Sequence, residues 1–435
     1  MLVLMSRFMF AAAARTHVGA CALAVLMAVA IPQTAQASPS DLFGFGGRSP
    51  ALAGTTVSDA IDYDAVYINP AGLADVTGVR VTTGMLTGDF SIKIDKRDVG
   101  APDPAGVVSG FTVPVPLKGK WKNRVGAGLA VFVPGQVINA VKSPFVGDPV
   151  FTLLDGKTKV VAMQGGLAAR LTDKLRAGIG VWVLAGLNGG IHVSTDPSGR
   201  FATQSEQQLQ SQYVALAGLR YHHSERLKLG MAVRGVARAT YDIEITNELA
   251  DSLPLTIPTV QIAGTAQYDP ATVAFEASWQ ATDSLKLFGQ LQYQRWSAYP
   301  PPTLKVVEQM PPALSPNFSD TVVPRVAAEF TKKLGSVELA LRAGYFFSMS
   351  PAPEMNGRLS LFDNSRHVTT GGVGLSFPTF AIPLHLNAWA QTHFLVPRRH
   401  TKNLDLYEPG ETIPYFSVET EGTLFAGGLT VGVDL

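Results

Sequence analysis

The side chains that could carry chemistry in this chain are few, and their spacing argues against the usual uses of each. Eight histidines are scattered over 435 residues, and His222-His223 stands at an expected turn. None falls in the His-Glu-x-x-His pattern that sets two imidazoles on one helix face, and a single cysteine, Cys21, offers no thiolate pair for a metal. No Gly-x-Ser-x-Gly turn lifts a serine out as a nucleophile. An esterase built on a β-barrel would hold its serine and histidine on separate strands, so that absence alone leaves a phospholipase open. No cofactor is expected. Asp363 and Arg366 stand three residues apart and read first as a salt-bridged rim, second as a ligand contact. Asn69-Pro70-Ala71 is a turn by residue type, Asn and Pro both favouring one. With a net charge of +1 and no basic stripe, nucleic acid is not a partner.

The elements that must position these residues follow from a period of two. From Leu227 to Ile245 the odd positions are apolar or small, while Lys228, Arg234, Arg238, Asp242 and Glu244 occupy even ones. An amphipathic helix would repeat at three and four, so this is a strand, and one longer than soluble sheets usually build. The same alternation returns at 175–185, 213–221, 337–347 and 382–396, where Leu384, Leu386 and Ala388 alternate with His385, Asn387 and Gln391. Charged residues make up 16% of the chain against roughly 25% in an average soluble protein, yet no run is a credible spanning helix. The most helix-like stretch, 177–195, is uncharged but interrupted repeatedly by glycine. Strands with one face in lipid and one in a polar interior reconcile these facts.

Strands are predicted at 79–92, 105–116, 123–134, 158–171, 174–187, 212–222, 226–246, 258–280, 284–297, 321–332, 335–348, 366–377, 382–396 and 421–435. Short and long connections alternate between them, as in outer-membrane barrels. The expectation is an all-β, transmembrane antiparallel barrel of about fourteen strands with both termini in the periplasm. Every odd residue of 227–245 should face lipid. Asp269-Pro270 would split 258–280 in two; keeping it as one kinked strand preserves the short–long alternation. Trp279, Trp296 and Trp389 are read as interface anchors of the aromatic girdle. The last strand carries Phe425, Leu429, Val431, Val433 and Leu435 on one face, the form in which barrels are presented to the outer-membrane assembly machinery.

Residues 1–37 read as a signal peptide, with Arg7 and Arg15 ahead of an apolar run and Ala35-Gln36-Ala37 at its end. Residues 38–78 do not alternate, and Phe43, Phe45, Leu52, Tyr63 and Tyr67 make them too apolar for a solvated tail. They are expected to plug the lumen of a barrel formed by 79–435.

Here the sequence resembles the FadL-type outer-membrane transporters. Asn69-Pro70-Ala71, closing a Gly/Ala-rich amino-terminal stretch, is similar to that family's plug signature. Trp279-Gln280-Ala281-Thr282-Asp283 running on to Arg295-Trp296-Ser297, and Ser350-Pro351-Ala352-Pro353 followed by Asp363-Asn364-Ser365-Arg366, resemble two further family segments in the same order. The resemblance implies a fourteen-stranded barrel with an amino-terminal hatch, and uptake of long-chain fatty acids or similar hydrophobic molecules. Capture would occur at outer loops near lipopolysaccharide, and release would follow a shift of the hatch at Asn69, Pro70 and Ala71. It also implies sideways escape into the lipid bilayer near a distorted third strand, where this chain carries Gly126, Gly128 and Pro134. A general diffusion porin for polar solutes is the alternative.

Overall fold

A computed structural model describes residues 42–101, 103–135, 139–140, 149–151, 153–154, 159–195, 201–248, 260–301, 303–305, 314–413 and 415–435. The expected signal peptide and the first residues of the expected hatch lie outside these.

The barrel wall consists of fourteen staves, numbered here in chain order. They are β1 Arg80–Ile94, β2 Ala105–Pro114, β3 Val125–Pro134, β4 Ala162–Arg170, β5 Leu175–Thr195 and β6 Phe201–His222. Next come β7 (Leu227–Arg234, continued by Ala237–Glu248), β8 (Val260–Asp269 and Ala271–Gln280) and β9 Leu285–Arg295. The remaining staves are β10 Thr321–Leu334, β11 Val337–Ser348, β12 Arg366–Phe377, β13 Leu384–Thr401 and β14 Ser417–Asp434. Each is antiparallel to its neighbours in sequence, and β14 pairs with β1 from Arg80↔Asp434 to Ile94↔Thr420, which closes the wall. Closure of the sheet is the condition lipid imposes on a spanning one. Short turns gather at one end of the barrel and long loops at the other.

Alternation decides which side chains see lipid. On β14, Phe425, Leu429 and Val431 are exposed outward, while Leu424, Ala426 and Thr430 are buried inward. Outward residues on the other staves, among them Met85, Phe111, Leu167, Ile179, Leu229, Phe275, Leu291, Val326 and Leu341, complete an apolar belt around the wall.

Three expectations need correction. First, the alternation of β7 does not run unbroken to 245. Leu229 and Val233 face outward, but Val236 is exposed next, and Ala237 and Ala239 are wholly buried. The phase slips at Gly235-Val236, because the matching stave breaks at the same height: Arg234 pairs with Thr272, and the next rung of the paired staves is Ala237↔Asp269, beyond Pro270. Pro270 has no N–H for the ladder. The stave 258–280 is accordingly one kinked unit over its described part. Second, residues 188–195 and 201–211 are strand, not loop, paired from Phe201↔Thr195 downward. Third, β13 and β14 extend through the expected loop 397–420 as far as Thr401 and Ser417. Above the belt both faces of a strand meet water or protein, so backbone pairing persists where the apolar signal is gone.

Nitroxide labels placed singly at 229, 233 and 236 should all collide with oxygen dissolved in the bilayer, and a label at 232 should not. Equal oxygen access at 232 and 233, or a shielded 236, would refute the phase slip.

Candidate functional site: the lumen and the segment that fills it

Residues 42–78 fold into short turns of helix: α1 Arg48–Ala51, α2 Ala65–Ile68, and 3-10 turns at Asp62–Asp64 and Pro70–Asp75. Small residues permit this compaction, and Ala51, Leu52, Ala60, Val66 and Leu73 have no exposure at all. The segment touches all fourteen staves. From β1 to β7 its neighbours are Thr82, Gly110, Gly128, Gly166, Gly178, Gly218 and Gly230. From β8 to β14 they are Glu276, Lys286, Glu329, Gly344, Thr370, Gln391 and Thr430. A segment ringed by every stave of a closed wall lies in its lumen.

Charge holds it there. Arg48 donates from Nε and Nη2 to both carboxylate oxygens of Glu329 (2.8 and 2.7 Å), and Arg342 of β11 donates to the same Glu329 (2.7 Å). Asp59 accepts from Arg48 (3.0 Å), Lys228 (2.5 Å) and Lys286 (2.8 Å). Burial pushes the Asp59 carboxyl up, but Arg48, Lys286 and Lys228 together hold it well below the usual carboxylate range. Asp75 is met by Arg170 (3.0 Å) and Arg176 (3.1 Å). Glu276 accepts from Val57 N (2.8 Å), Ser58 N (2.9 Å) and Ser58 Oγ (2.6 Å). The segment contributes mainly acids and the wall mainly bases, a complementarity that the sequence period hid because it crosses between elements.

Asn69 is fully buried and fixes the turn predicted around it. Its Oδ1 accepts from Ala71 N (3.0 Å), and its Nδ2 donates to the carbonyl oxygens of Val57 (2.7 Å), Leu219 (3.1 Å) and Met231 (3.4 Å). Pro70 sits in the first turn of the 3-10 helix, where its missing N–H costs nothing. The wall is thinned to receive this turn: a Cβ on Gly218 would run into Asn69 Oδ1, and one on Gly178 into the Pro70 backbone.

Gly126, Gly128 and Pro134 are placed differently from the expectation. β3 is in continuous register with β2 from Gly126↔Pro114 to Pro134↔Gly106, and with β4 from Val125↔Ala169 to Phe132↔Ala162. No gap interrupts the wall there among the described residues. A Cβ on Gly126 would collide with Leu73 O, and one on Gly128 would lie 2.8 Å from Leu73 Cδ2, so both glycines are seats for the lumen segment. Asp363 and Arg366 form a 3.8 Å ion pair, with side chains 2% and 12% exposed. Beside them Ser350 Oγ donates to Asp363 O (3.0 Å), and Asn364 Nδ2 donates to Val396 O and Thr420 O (both 2.9 Å), which staples the loop to β13 and β14.

Buried apolar side chains pack in a continuous cluster from the loop end of the barrel to the lumen segment. One cluster joins Phe151, Phe362 and Leu361 at the loop end, Ile92, Phe90, Trp389 and Leu424 on the inner wall, and Phe43, Phe45, Tyr63 and Tyr67 of the lumen segment. Its rings are in contact: Phe151 to Phe362 (6.1 Å), Phe43 to Phe90 (6.0 Å) and Tyr67 to Trp182 (5.6 Å). Trp296 and Trp389, read from sequence as membrane anchors, are each only 5% exposed and belong to this interior, whereas Trp279 is 51% exposed outside. The parity of β13 carried the signal, since Trp389 shares its face with His385, Asn387 and Gln391.

A Ser–His–Asp contact set also forms, at the turn end. Ser376 Oγ lies 3.0 Å from His385 Nδ1, and His385 Nε2 lies 3.1 Å from Asp434 Oδ2. Arg80, however, binds Asp434 through two nitrogens and comes within 3.0 Å of the same His385 Nε2. The imidazole is wedged between a cation and its carboxylate where β1, β12, β13 and β14 meet, and it knits the closing seam.

The model of the outer membrane transport protein family OMPP1/FadL/TodX matches residues 27–381. The chain belongs to the FadL/TodX family of outer-membrane transport proteins. Family and fold together place it in the outer membrane, among channels for hydrophobic compounds. A Pseudomonas aeruginosa FadL homologue superposes with a TM-score of 0.56 at 15% identity, over 93% of this chain and 98% of that one. The P. putida toluene transporter TodX gives 0.54 at 14% identity, over 91% and 99%. The monoaromatic hydrocarbon channel CymD gives 0.52 at 13%, over 90% and 98%. At these identities the likeness is one of fold. No curated protein matches the sequence.

Glu329→Gln removes the carboxylate that neutralises both Arg48 and Arg342, and breaking such a buried pair costs about 3–5 kcal/mol. Trypsin should then cut after Arg48 in folded, heat-resistant barrels, where it spares the wild type. Unchanged resistance at Arg48 would show that the charge cluster does not hold the segment.

Proposed function

We propose that this channel takes up hydrophobic small molecules, long-chain fatty acids among them, by passive diffusion through a lumen gated by residues 42–78. Both termini would lie in the periplasm and the long loops at the lipopolysaccharide surface. The observation that carries the reading is the apolar cluster running from the loop end to the lumen segment. Barrel interiors are ordinarily polar, and a porin for polar solutes has no use for buried Phe, Trp and Ile along its axis.

The physics of such transport needs no chemistry. A hydrophobic solute is held back by the sugar layer outside and by water in an open pore. Apolar surface offers it about 25 cal/mol per Å² of buried area, roughly 0.8 kcal/mol for each methylene. Weak sites in sequence therefore carry an alkyl chain inward, and the segment must shift before anything of that size passes. Asn69, Pro70 and Ala71 form the turn that seats it against β5, β6 and β7, so they are the proposed hatch element.

Transport of monoaromatic hydrocarbons is a second reading, supported by two of the fold relatives, whose names are those of a toluene transporter and a monoaromatic hydrocarbon channel. The ring-lined interior suits either class. Uptake of oleate and of toluene, measured in a host lacking its own transporters, separates the two.

Replacing Asn69 and Pro70 together with Ala removes the hydrogen bonds from the two Nδ2 protons of Asn69, best placed for Val57 O and Leu219 O and each worth about 1 kcal/mol. The barrel should still insert and resist heat, uptake of the preferred solute should change, and leakage of small polar solutes should rise. A double variant that inserts, transports at the wild-type rate and leaks no more would rule out gating by this turn.

A further inference from the structure

We infer that the outer wall carries a site for one anionic phospholipid, with an acyl chain in a groove across β3 to β7 and the headgroup on the turns 115–124 and 172–174. The site lies on the lipid-facing side of the wall, so it goes beyond the uptake reading and does not need it. It takes the turn end as the periplasmic end, as proposed above.

The groove follows from one rung of the wall. Ala169 of β4 and Ala177 of β5 stand opposite each other, and the same rung continues to Val125 on β3 and to Leu219 and Met231 on β6 and β7. The two alanines leave only methyl groups at a place where their neighbours along the staves, Leu167, Leu171 and Ile179, stand exposed on the outside. The result is an apolar trough of about 670 Å³ in the lipid-facing surface. Its floor is sealed. β4 and β5 pair without interruption from Ala162↔Leu184 to Arg170↔Arg176, and the Pro70 backbone fills the space behind Gly178.

The turns beside the groove are basic. Residues 115–124 and 172–174 carry Lys118, Lys120, Lys122, Arg124 and Lys174 against one acid, Asp173. Arg124 Nη2 lies 3.4 Å from Asp173 Oδ1, and Arg170 N donates to Arg124 O (2.7 Å), so the two turns are joined. That pair neutralises itself, and the exposed Lys122 and Lys174 are its close neighbours in sequence. Leu117 and Trp121 are exposed on the first turn, with Lys120 Nζ 5.7 Å from the centre of the indole. Indole and ammonium groups both suit the headgroup layer. Ala169 is three residues from Thr172, about 10 Å along a strand, so a headgroup on the turns sets its chain in the trough.

Groove and charge act on different parts of the lipid. Apolar contact alone gives no preference, because a tail leaving other tails for the wall exchanges one apolar neighbour for another. What the trough adds is position: a chain lying in it gains dispersion contacts with side chains on several sides. The lysines then decide which headgroup stays. Each cation near the surface favours an anionic lipid, and a zwitterionic headgroup brings its own ammonium to the same place. In the orientation proposed above, lipopolysaccharide occupies the opposite leaflet, which leaves an anionic phospholipid as the occupant.

The purified barrel, in detergent micelles where orientation plays no part, is titrated with dioleoylphosphatidylglycerol or dioleoylphosphatidylethanolamine and read by native mass spectrometry. One phosphatidylglycerol should be retained, about tenfold more tightly than phosphatidylethanolamine. Lys120→Gln, Lys122→Gln and Lys174→Gln together should abolish that preference. Lys332→Gln with Lys333→Gln, exposed on the turn between β10 and β11, should keep it. Ala169→Leu with Ala177→Leu fills the trough and should lower phosphatidylglycerol retention in a barrel of unchanged charge. Equal retention of the two lipids by the wild type would overturn the site and leave an annular lipid only. Equal loss in the Lys332 and Lys333 control, or full retention after the trough is filled, would overturn it as well. If the triple lysine variant does not give a heat-resistant barrel, the wild-type comparison and the filled trough decide. Oleate and toluene uptake is measured separately, so failure of this site and failure of the uptake reading are told apart.

Discussion

Lipid offers no partner to a peptide N–H or C=O, and a strand placed in it must find both of its neighbours. That constraint governs the rest of this molecule. It forces β14 back onto β1, and Arg80, His385 and Asp434 are gathered where the two meet. It also demands that irregular backbone be enclosed or keep its hydrogen bonds. Residues 42–78, with their short helical turns, are enclosed by the wall. Where β7 breaks at Gly235, the Gly235 N–H still donates to Ala215 O (3.0 Å), and the side chain of Val236 turns outward.

Inside the wall a different balance holds. An apolar course suits a hydrophobic solute, but an apolar plug alone would be held by unspecific contact and would slide. The lumen segment is instead fixed by pairs that desolvated charge makes exacting: Arg48 against Glu329, Asp59 against Lys228 and Lys286, and Asp75 against Arg170 and Arg176. Such pairs contribute little net stability compared with apolar packing, yet misplacing one is expensive. The result is a segment with one position. The glycine seats opposite Asn69, Pro70 and Leu73 add the same demand in steric form.

Much of this is legible in the sequence. Leu227 to Val233 alternate because lipid and lumen differ sharply at that depth, and the strands in the belt were readable to within a few residues. At 188–195 and 201–211 the contrast vanishes, and Gln, Ser and Thr on both faces read as loop although the ladder continues. The slip at Gly235 was invisible because glycine and alanine satisfy either face. Residues 42–78 were recognisable as folded from their apolar content. Arg48 was not recognisable as their anchor, since its partner Glu329 is distant in sequence and has no spacing rule. Trp389 lies inside because position outweighs aromatic type: it shares parity with His385, Asn387 and Gln391.

The order of the chain has a bearing on how the molecule is put together. The lumen segment precedes β1, yet its neighbours include Gln391 of β13 and Thr430 of β14, among the last residues to arrive. Gly47 has no room for a Cβ between Asn387 and Thr430, so that corner of the segment has its final shape only once the terminal staves stand beside it. Sealing the wall and settling the segment are thus one event. Until the last stave docks on the first, Phe43, Gly47 and Pro50 lack their seats on Gln391 and Thr430, and an open wall leaves that corner of the segment unfixed. The segment's fit is a built-in check that the cylinder around it has been completed.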